Sequence, residues 1–195
     1  MTLTTAAAAA APSKIVLYLV WNNGSGTLLS VTGGGLTWTI DRQGKNTSNF
    51  WGAIVSADAP FGLAPGQVIT ARFSRSVTHG LIAGASFTGV APATAPDASV
   101  LSTQGGVVGW TAGLTTTNAN DLVVGWSTID ANATSTPTAP NVEVHDFGNS
   151  VFFSWATSVY RIESTAGLKT VNGTWSRSTG STANATLAVA YKAAG

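Results

Sequence analysis

The dominant period along this chain is two. Ile15, Leu17, Leu19 and Trp21 take one face, and Val16, Tyr18 and Val20 take the other. Both faces are apolar, which predicts a central strand buried on both sides. The turn cluster Asn22-Asn23-Gly24-Ser25-Gly26 follows. A second strand is predicted over Thr27 to Val31, and Gly33-Gly34-Gly35 breaks it. Leu36, Trp38 and Ile40 alternate with Thr37 and Thr39, a half-buried strand with a Thr face to water. Phe50 to Ala57 and Val68 to Ser76 read as a pair joined by the turn Pro60 to Gly66. Thr78 to Val90 is another strand, with Leu81, Ala83, Ala85 and Phe87 on one face. Ala91 to Ala98 reads as loop. Val107 to Thr111 is a short strand, Asp121 to Thr128 a longer one, and Ala131 to Pro140 a loop. Val142 to Phe147 ends at a Gly148-Asn149 turn, and then Phe153, Trp155, Thr157 and Val159 alternate with Phe152, Ser154, Ala156 and Ser158. Leu168 to Ser176 and, after a turn at Gly180, Leu187 to Tyr191 complete the series. About ten to twelve strands with frequent turn signals predict an all-β antiparallel sandwich of jelly-roll or immunoglobulin-like type.

The division expected is an extended Thr/Ala-rich N-terminal arm over residues 1–13 and a single β-sandwich domain over residues 14–195. The arm has six consecutive Ala and reads as a segment that leaves the domain, either as a loose tail or, the reading favoured, as an arm that orders on a neighbouring subunit. Its partner-contacting candidates are Thr2, Leu3, Thr4, Thr5 and Pro12. No cation precedes Lys14, and Ala alone is a weak apolar stretch, so a secretory signal is not expected. No window approaches 18 apolar residues, so no membrane-spanning helix is expected.

Composition narrows the class. Charged residues make up 9% of the 195, against about 25% in ordinary domains. Thr, Ser and Gly number 28, 19 and 22, while hydrophobic residues reach 44%. That hydrophobicity with a net charge of +1 argues against disorder. Nine scattered cations leave no nucleic-acid footprint. Without cysteine there is neither a disulfide nor a zinc-thiolate scaffold.

Candidate chemistry is thin. A Ser-His-Asp triad must use His79 or His145. Gly84-Ala85-Ser86-Phe87-Thr88 begins like a nucleophile elbow, but it lacks the second Gly and lies within a strand pattern. His145 and Asp146 are adjacent, so on a strand they point to opposite faces. Calcium needs clustered carboxylates, and the eight acids are dispersed; Glu143 and Asp146 could approach only Asp130 or Asp121. No phosphate loop is present. The expectation is therefore a non-enzyme without cofactor, metal or catalytic residues. Seven Trp remain, mostly in phase with core residues. Phe50, Trp51 and Trp110 are the candidate exposed aromatics. Five Asn-x-Ser/Thr sequons are a mild excess over chance and are read as no glycosylation signal.

One resemblance adds to this. The stretches Val31-Thr32-Gly33-Gly34-Gly35-Leu36-Thr37-Trp38-Thr39, Phe50-Trp51-Gly52-Ala53, Ile69-Thr70-Ala71-Arg72-Phe73-Ser74, Phe87-Thr88-Gly89-Val90 and Leu187-Ala188-Val189-Ala190-Tyr191-Lys192 carry it. They resemble a β-sandwich domain family found in virion proteins of tailed bacteriophages and in some bacterial surface proteins. The resemblance spans roughly Lys14 to Lys192 and implies a scaffold with no catalytic residues. Without a signal sequence or second module, the expectation is a virion structural protein, a head decoration or minor capsid protein assembled in the host cytoplasm. Its expected partners are the major capsid protein, other virion subunits and copies of itself, with no nucleic acid and no membrane. The alternatives are a tail-associated or host-adhesion component, or a secreted or surface-bound carbohydrate-binding module recognising a glycan.

Overall fold

The computed structural model describes residues 1–22, 26–46, 50–77, 79–92, 95–105, 108–149, 154–177 and 183–195. Parts of the expected turns at Asn23 and Gly180, and the expected strand positions Thr78, Val107, Phe152 and Phe153, lie outside them. The described residues are all-β and contain no helix.

In chain order the strands of the first half are β1 (Thr2–Thr4), β2 (Ser13–Asn22), β3 (Leu28–Gly33), β4 (Trp38–Lys45), β5 (Phe50–Ala59), β6 (Val68–Phe73) and β7 (His79–Phe87). The second half supplies β8 (Ala98–Gly105), β9 (Gly109–Thr116), β10 (Asp121–Asp130), β11 (Ser135–Pro137), β12 (Val142–Asn149), β13 (Ser154–Glu163), β14 (Gly167–Trp175) and β15 (Ala183–Tyr191). They form four antiparallel sheets. The first half makes an outer sheet, β1-β6-β3, and an inner one, β4-β5-β2-β7. The second half makes an inner sheet, β12-β13-β10-β15-β8, and an outer one, β11-β14-β9.

Three apolar cores show that the sheets are stacked. Ile15, Leu17, Leu19 and Trp21 of β2 pack with Leu28, Val31, Ile69 and Ala71 of the first outer sheet. The intervening β2 residues, Val16, Tyr18 and Val20, pack against Leu122, Val124, Trp126, Leu187 and Val189 of the second inner sheet. Val123, Ile129, Ala188 and Ala190 then meet Trp110, Ala112, Leu114, Val171 and Trp175. Strands β2, β10 and β15 thus feed two cores each, which is why their sequences carry apolar residues in both phases. The sandwich expected from the sequence is a four-layer stack, one pair of sheets from each half of the chain. The strands exceed the expected number because β1, β8 and β11 were not predicted. Pro137 sits in β11, an edge strand, where its missing N–H removes no ladder bond.

A polar network crosses the central core. Tyr191 donates to Asp41 Oδ2 at 2.6 Å, linking β15 to β4. Lys14 Nζ, almost completely buried, pairs with Asp58 at 2.5 Å and lies 5.5 Å from the Tyr191 ring centre. Burial chiefly holds the Asp41 carboxyl above its ordinary range, against its hydrogen bonds from Tyr191 and Ser56.

The outward faces of the two outer sheets are uncharged in long stretches. Thr2, Thr70 and Thr32 are exposed in one cross-strand row on the first. Thr174 and Thr136 are paired and exposed on the other.

Candidate functional site

The arm lies on its own domain rather than leaving it. Thr2, Leu3 and Thr4 pair with Thr70, Ile69 and Val68 of β6. This pairing satisfies the arm's backbone groups and puts Leu3 against the first core, with Thr2 and Thr4 facing water. Those two gains explain the departure from an extended arm. Thr5 then acts as a staple. Its N–H donates to Gln67 O at 3.0 Å and its Oγ1 to Ala64 O at 2.9 Å. Its carbonyl accepts from Gly66 N at 2.8 Å, and its Oγ1 from Gln67 N at 2.9 Å. Ala9 and Leu63 exchange backbone bonds of 2.8 and 3.2 Å. Gly62 permits this approach: its φ is +76°, and a Cβ there would lie 2.5 Å from Ala9 O. Pro12 is exposed just before β2, where burial begins at Ser13.

Between these anchors the chain spans a gap. Strand β1 is the edge of one sheet and β7 the edge of the next, so their shared core opens along that side. Ala6, Ala7 and Ala8 cross the opening as an exposed strap over a cavity of about 470 Å³. Leu3, Ile15, Leu17, Ile69 and Ile82 line its apolar floor, and Ser86 and His145 also contribute. His145 Nδ1 is 2.9 Å from Ser158 Oγ, and burial holds its pKa below the ordinary value. Its neighbour Asp146 accepts instead from Ser135 N at 3.1 Å, so the two do not form a dyad. His79 sits across from Asn22 on β7, far along the sheet from the Ser86 position that meets Ile15.

The aromatic candidates need correction. Phe50 is 3% exposed and Trp110 is 1% exposed. Phe50 opens β5 and Trp110 fills the space over Gly173, where a Cβ would lie 2.3 Å from Trp110 Cζ2. Trp51 is half-buried, stacked on Trp21 at 5.8 Å with Lys45 over its ring. None of the seven Trp is exposed: Trp21, Trp110, Trp126 and Trp175 are buried, and Trp38, Trp51 and Trp155 are half-buried. Among the described residues the exposed aromatic ring is Phe61, at 96%. Sequence reading passed over it as a turn residue, although Pro60 and Gly62 on either side already placed it at a hairpin tip.

The acids also group differently. The carboxyl that faces Asp121 is Asp97, not Glu143 or Asp146, and the side chain of Asp130 lies outside the described residues. Desolvation first, and then the charge of Asp146 on the same strand, raise Glu143. Among the described residues no three His, Cys, Asp or Glu groups converge in a metal-binding cluster.

No family model matches the chain, and comparison with curated proteins and with solved structures finds no match.

Proposed function

We propose that this chain is a structural protein of a tailed-phage virion, a head decoration or minor capsid protein that binds the shell and stabilises it through subunit contacts. The observation that carries the reading is the first outer sheet, whose edge strand β1 is held mainly by backbone pairing. A sheet that accepts an N-terminal segment by main-chain hydrogen bonds offers the same chemistry to a segment of a neighbour. Its outward Thr row gives a run of uncharged positions beside the single exposed Arg72, and contacts to the Thr row depend little on salt. Phe61, Ile162 and Leu168, 96%, 69% and 74% exposed, add apolar anchors on separate parts of the surface. The strand-and-turn resemblance to virion domains points the same way. The partners are the major capsid protein, other virion subunits and copies of this chain.

The test uses shells stripped of the protein, incubated with the full chain or with a chain lacking residues 1–11. The full chain is expected to co-sediment with the shells and raise their thermal resistance, and the shortened, folded chain to do neither. Equal binding by both chains refutes the role of the arm, and no binding by the full chain refutes the shell. Binding to tails instead would establish the tail-associated alternative. The glycan reading rests on Phe61 alone and predicts a glycan affinity abolished by Phe61→Ala.

A further inference from the structure

The sheet edges of this molecule are blunted, with one exception. Strand β4 carries Asp41, Arg42 and Lys45 and a bulge between Ile40 and Arg42. Strand β12 carries Glu143 and Asp146 and a bulge between Glu143 and His145. Strand β3 is bulged, β1 and β11 are three residues long, and β11 contains Pro137. Strands β8 and β9 lean on each other, and Gln104 of one accepts from Thr111 N of the other at 2.9 Å. Charges, bulges, Pro, brevity and cover are the devices that keep a sheet from accepting a further strand. Strand β7 lacks the first four. It contains no Lys, Arg, Asp, Glu or Pro, and its register on β2 runs unbroken from His79 opposite Asn22 to Phe87 opposite Lys14.

The cavity under the Ala strap runs along this edge. Its wall on β7 is the consecutive run Ile82 to Ser86. A cavity over the face of a strand is lined by one phase only, so both phases together mark an edge, where alternate N–H and C=O groups point outward. Among the described residues no main-chain bond joins this run to Ala6, Ala7 or Ala8. Ala85 and Ser86 are shared with a second hollow of about 580 Å³ beside Phe87, walled by Leu122, Val142, Tyr160 and Ile162. The two hollows make a trough that is apolar on both flanks. Among the described residues that line it, the charged one is Glu143, exposed in the second hollow. Its charged neighbour is another acid, Asp146.

We propose that β7 accepts an extended segment of another polypeptide as an added antiparallel strand, its apolar side chains alternating into the two hollows and a basic residue meeting Glu143. The outward main-chain groups decide for peptide over hydrocarbon. A lipid chain would fill the apolar space but leave those N–H and C=O groups unpaired and cut off from water. In strand addition the backbone supplies the affinity and the side-chain pockets the selectivity. The run from Ile82 to Phe87 pairs with about six residues of the segment. Glu143 belongs to the hollow at the C-terminal end of β7, so antiparallel pairing puts the basic residue at the N-terminal end of the segment. The strap and His145 of β12 flank the trough, so a lone segment enters it where the edge of a second folded copy meets the strap first. This edge is separate from the β1 edge that carries the shell reading.

The experiment is fluorescence polarisation of the full chain with a labelled, end-blocked peptide, Arg-Val-Thr-Val-Thr-Val-Thr. The expected Kd is roughly 10–100 μM, because ordering a free peptide offsets much of what pairing gains. The same peptide with Pro in place of its middle Val loses a ladder bond and is expected to bind about tenfold more weakly or worse. Glu143→Lys is expected to weaken the Arg peptide severalfold and to bind a Glu-headed peptide in its place. No polarisation change up to about 1 mM peptide overturns the proposal. Equal binding of the Pro peptide overturns strand pairing and leaves a trough that reads apolar groups alone. An unchanged preference in Glu143→Lys overturns the placement of the segment. A full chain that sediments as a dimer and is dissociated by the peptide overturns it in favour of a second copy. Shell binding can fail with peptide binding intact, and the reverse, so the two readings separate.

Discussion

The two halves of the molecule enclose their cores by different means. In the second half, rings sit on glycines: Trp110 lies over Gly173 and Trp155 over Gly148. Trp175, 3% exposed, completes that core with Leu114 and Val171. In the first half the core packs aliphatic residues around Trp21, and its open side is closed by a separate segment, Leu3 and the Ala strap. The contrast separates stability from adaptability. A ring seated on a glycine has one fit, and any added atom meets backbone or a ring that cannot move. A segment laid along an edge by main-chain bonds can be removed with the rest of the sheet intact.

The largest test of this contrast is Trp110→Ala against Leu3→Ala. Emptying the space under a fully buried indole is expected to cost about 3–5 kcal/mol. Truncating half-buried Leu3 at the seam is expected to cost about 1–2 kcal/mol. Urea midpoints of the two variants measure both, and equal losses would mean that the strap is as integral as the rings.

A smaller effect comes from the glycines. At Gly173 a Cβ would lie 2.3 Å from Trp110 Cζ2 and 2.7 Å from Thr136 O, so the ring and the β11 backbone must both shift. Gly173→Ala is expected to cost about 1–3 kcal/mol by overpacking. Gly35, in the first half, has φ +67° but nothing within 4 Å of a Cβ. Gly35→Ala is expected to cost about 1 kcal/mol from backbone strain alone. If denaturant midpoints rank the two in reverse, the second core has slack that its geometry does not show.

How far the sequence carried this contrast depends on the residue. Strand β2 was legible because both of its phases are apolar, and only burial on two sides explains that. Its neighbour layers were less so, since a two-sided strand implies a third layer only when its partners are known. Strand β8, Ala-Ser-Val-Leu-Ser-Thr-Gln-Gly, carries small polar residues at half-buried positions, so no period stands out. Strand β1 is three residues long, and Leu3 between two Thr fits an edge in any sheet, including another subunit's. Trp110 looked exposed because loops flank it in sequence, whereas the glycine that receives it is on another strand.

The smallest expected effect is electrostatic and belongs to the seam. His145 is half-buried beside the Tyr18 ring at 6.2 Å and the Phe147 ring at 6.0 Å. Desolvation holds its pKa below the ordinary 6.5. Between that lowered value and 6.5 the unfolded chain therefore binds more protons than the folded one, and stability falls as pH falls through this window. Above 6.5 the imidazole is neutral in both states and the contribution is complete. The raised acids act with the opposite sign: half-buried Asp41 and the more exposed Asp146, both raised chiefly by desolvation, add stability as pH drops into the carboxylate range. Their window lies lower, so the two effects separate. His145→Gln can keep a hydrogen bond to Ser158 and removes the titration. Urea midpoints at pH 7.5 and 5.5 are expected to differ less in the variant than in the wild type, by a fraction of a kcal/mol. An unchanged difference would mean that water enters the seam under the Ala strap freely enough to solvate the imidazolium, and the strap would then be a tether rather than a cover.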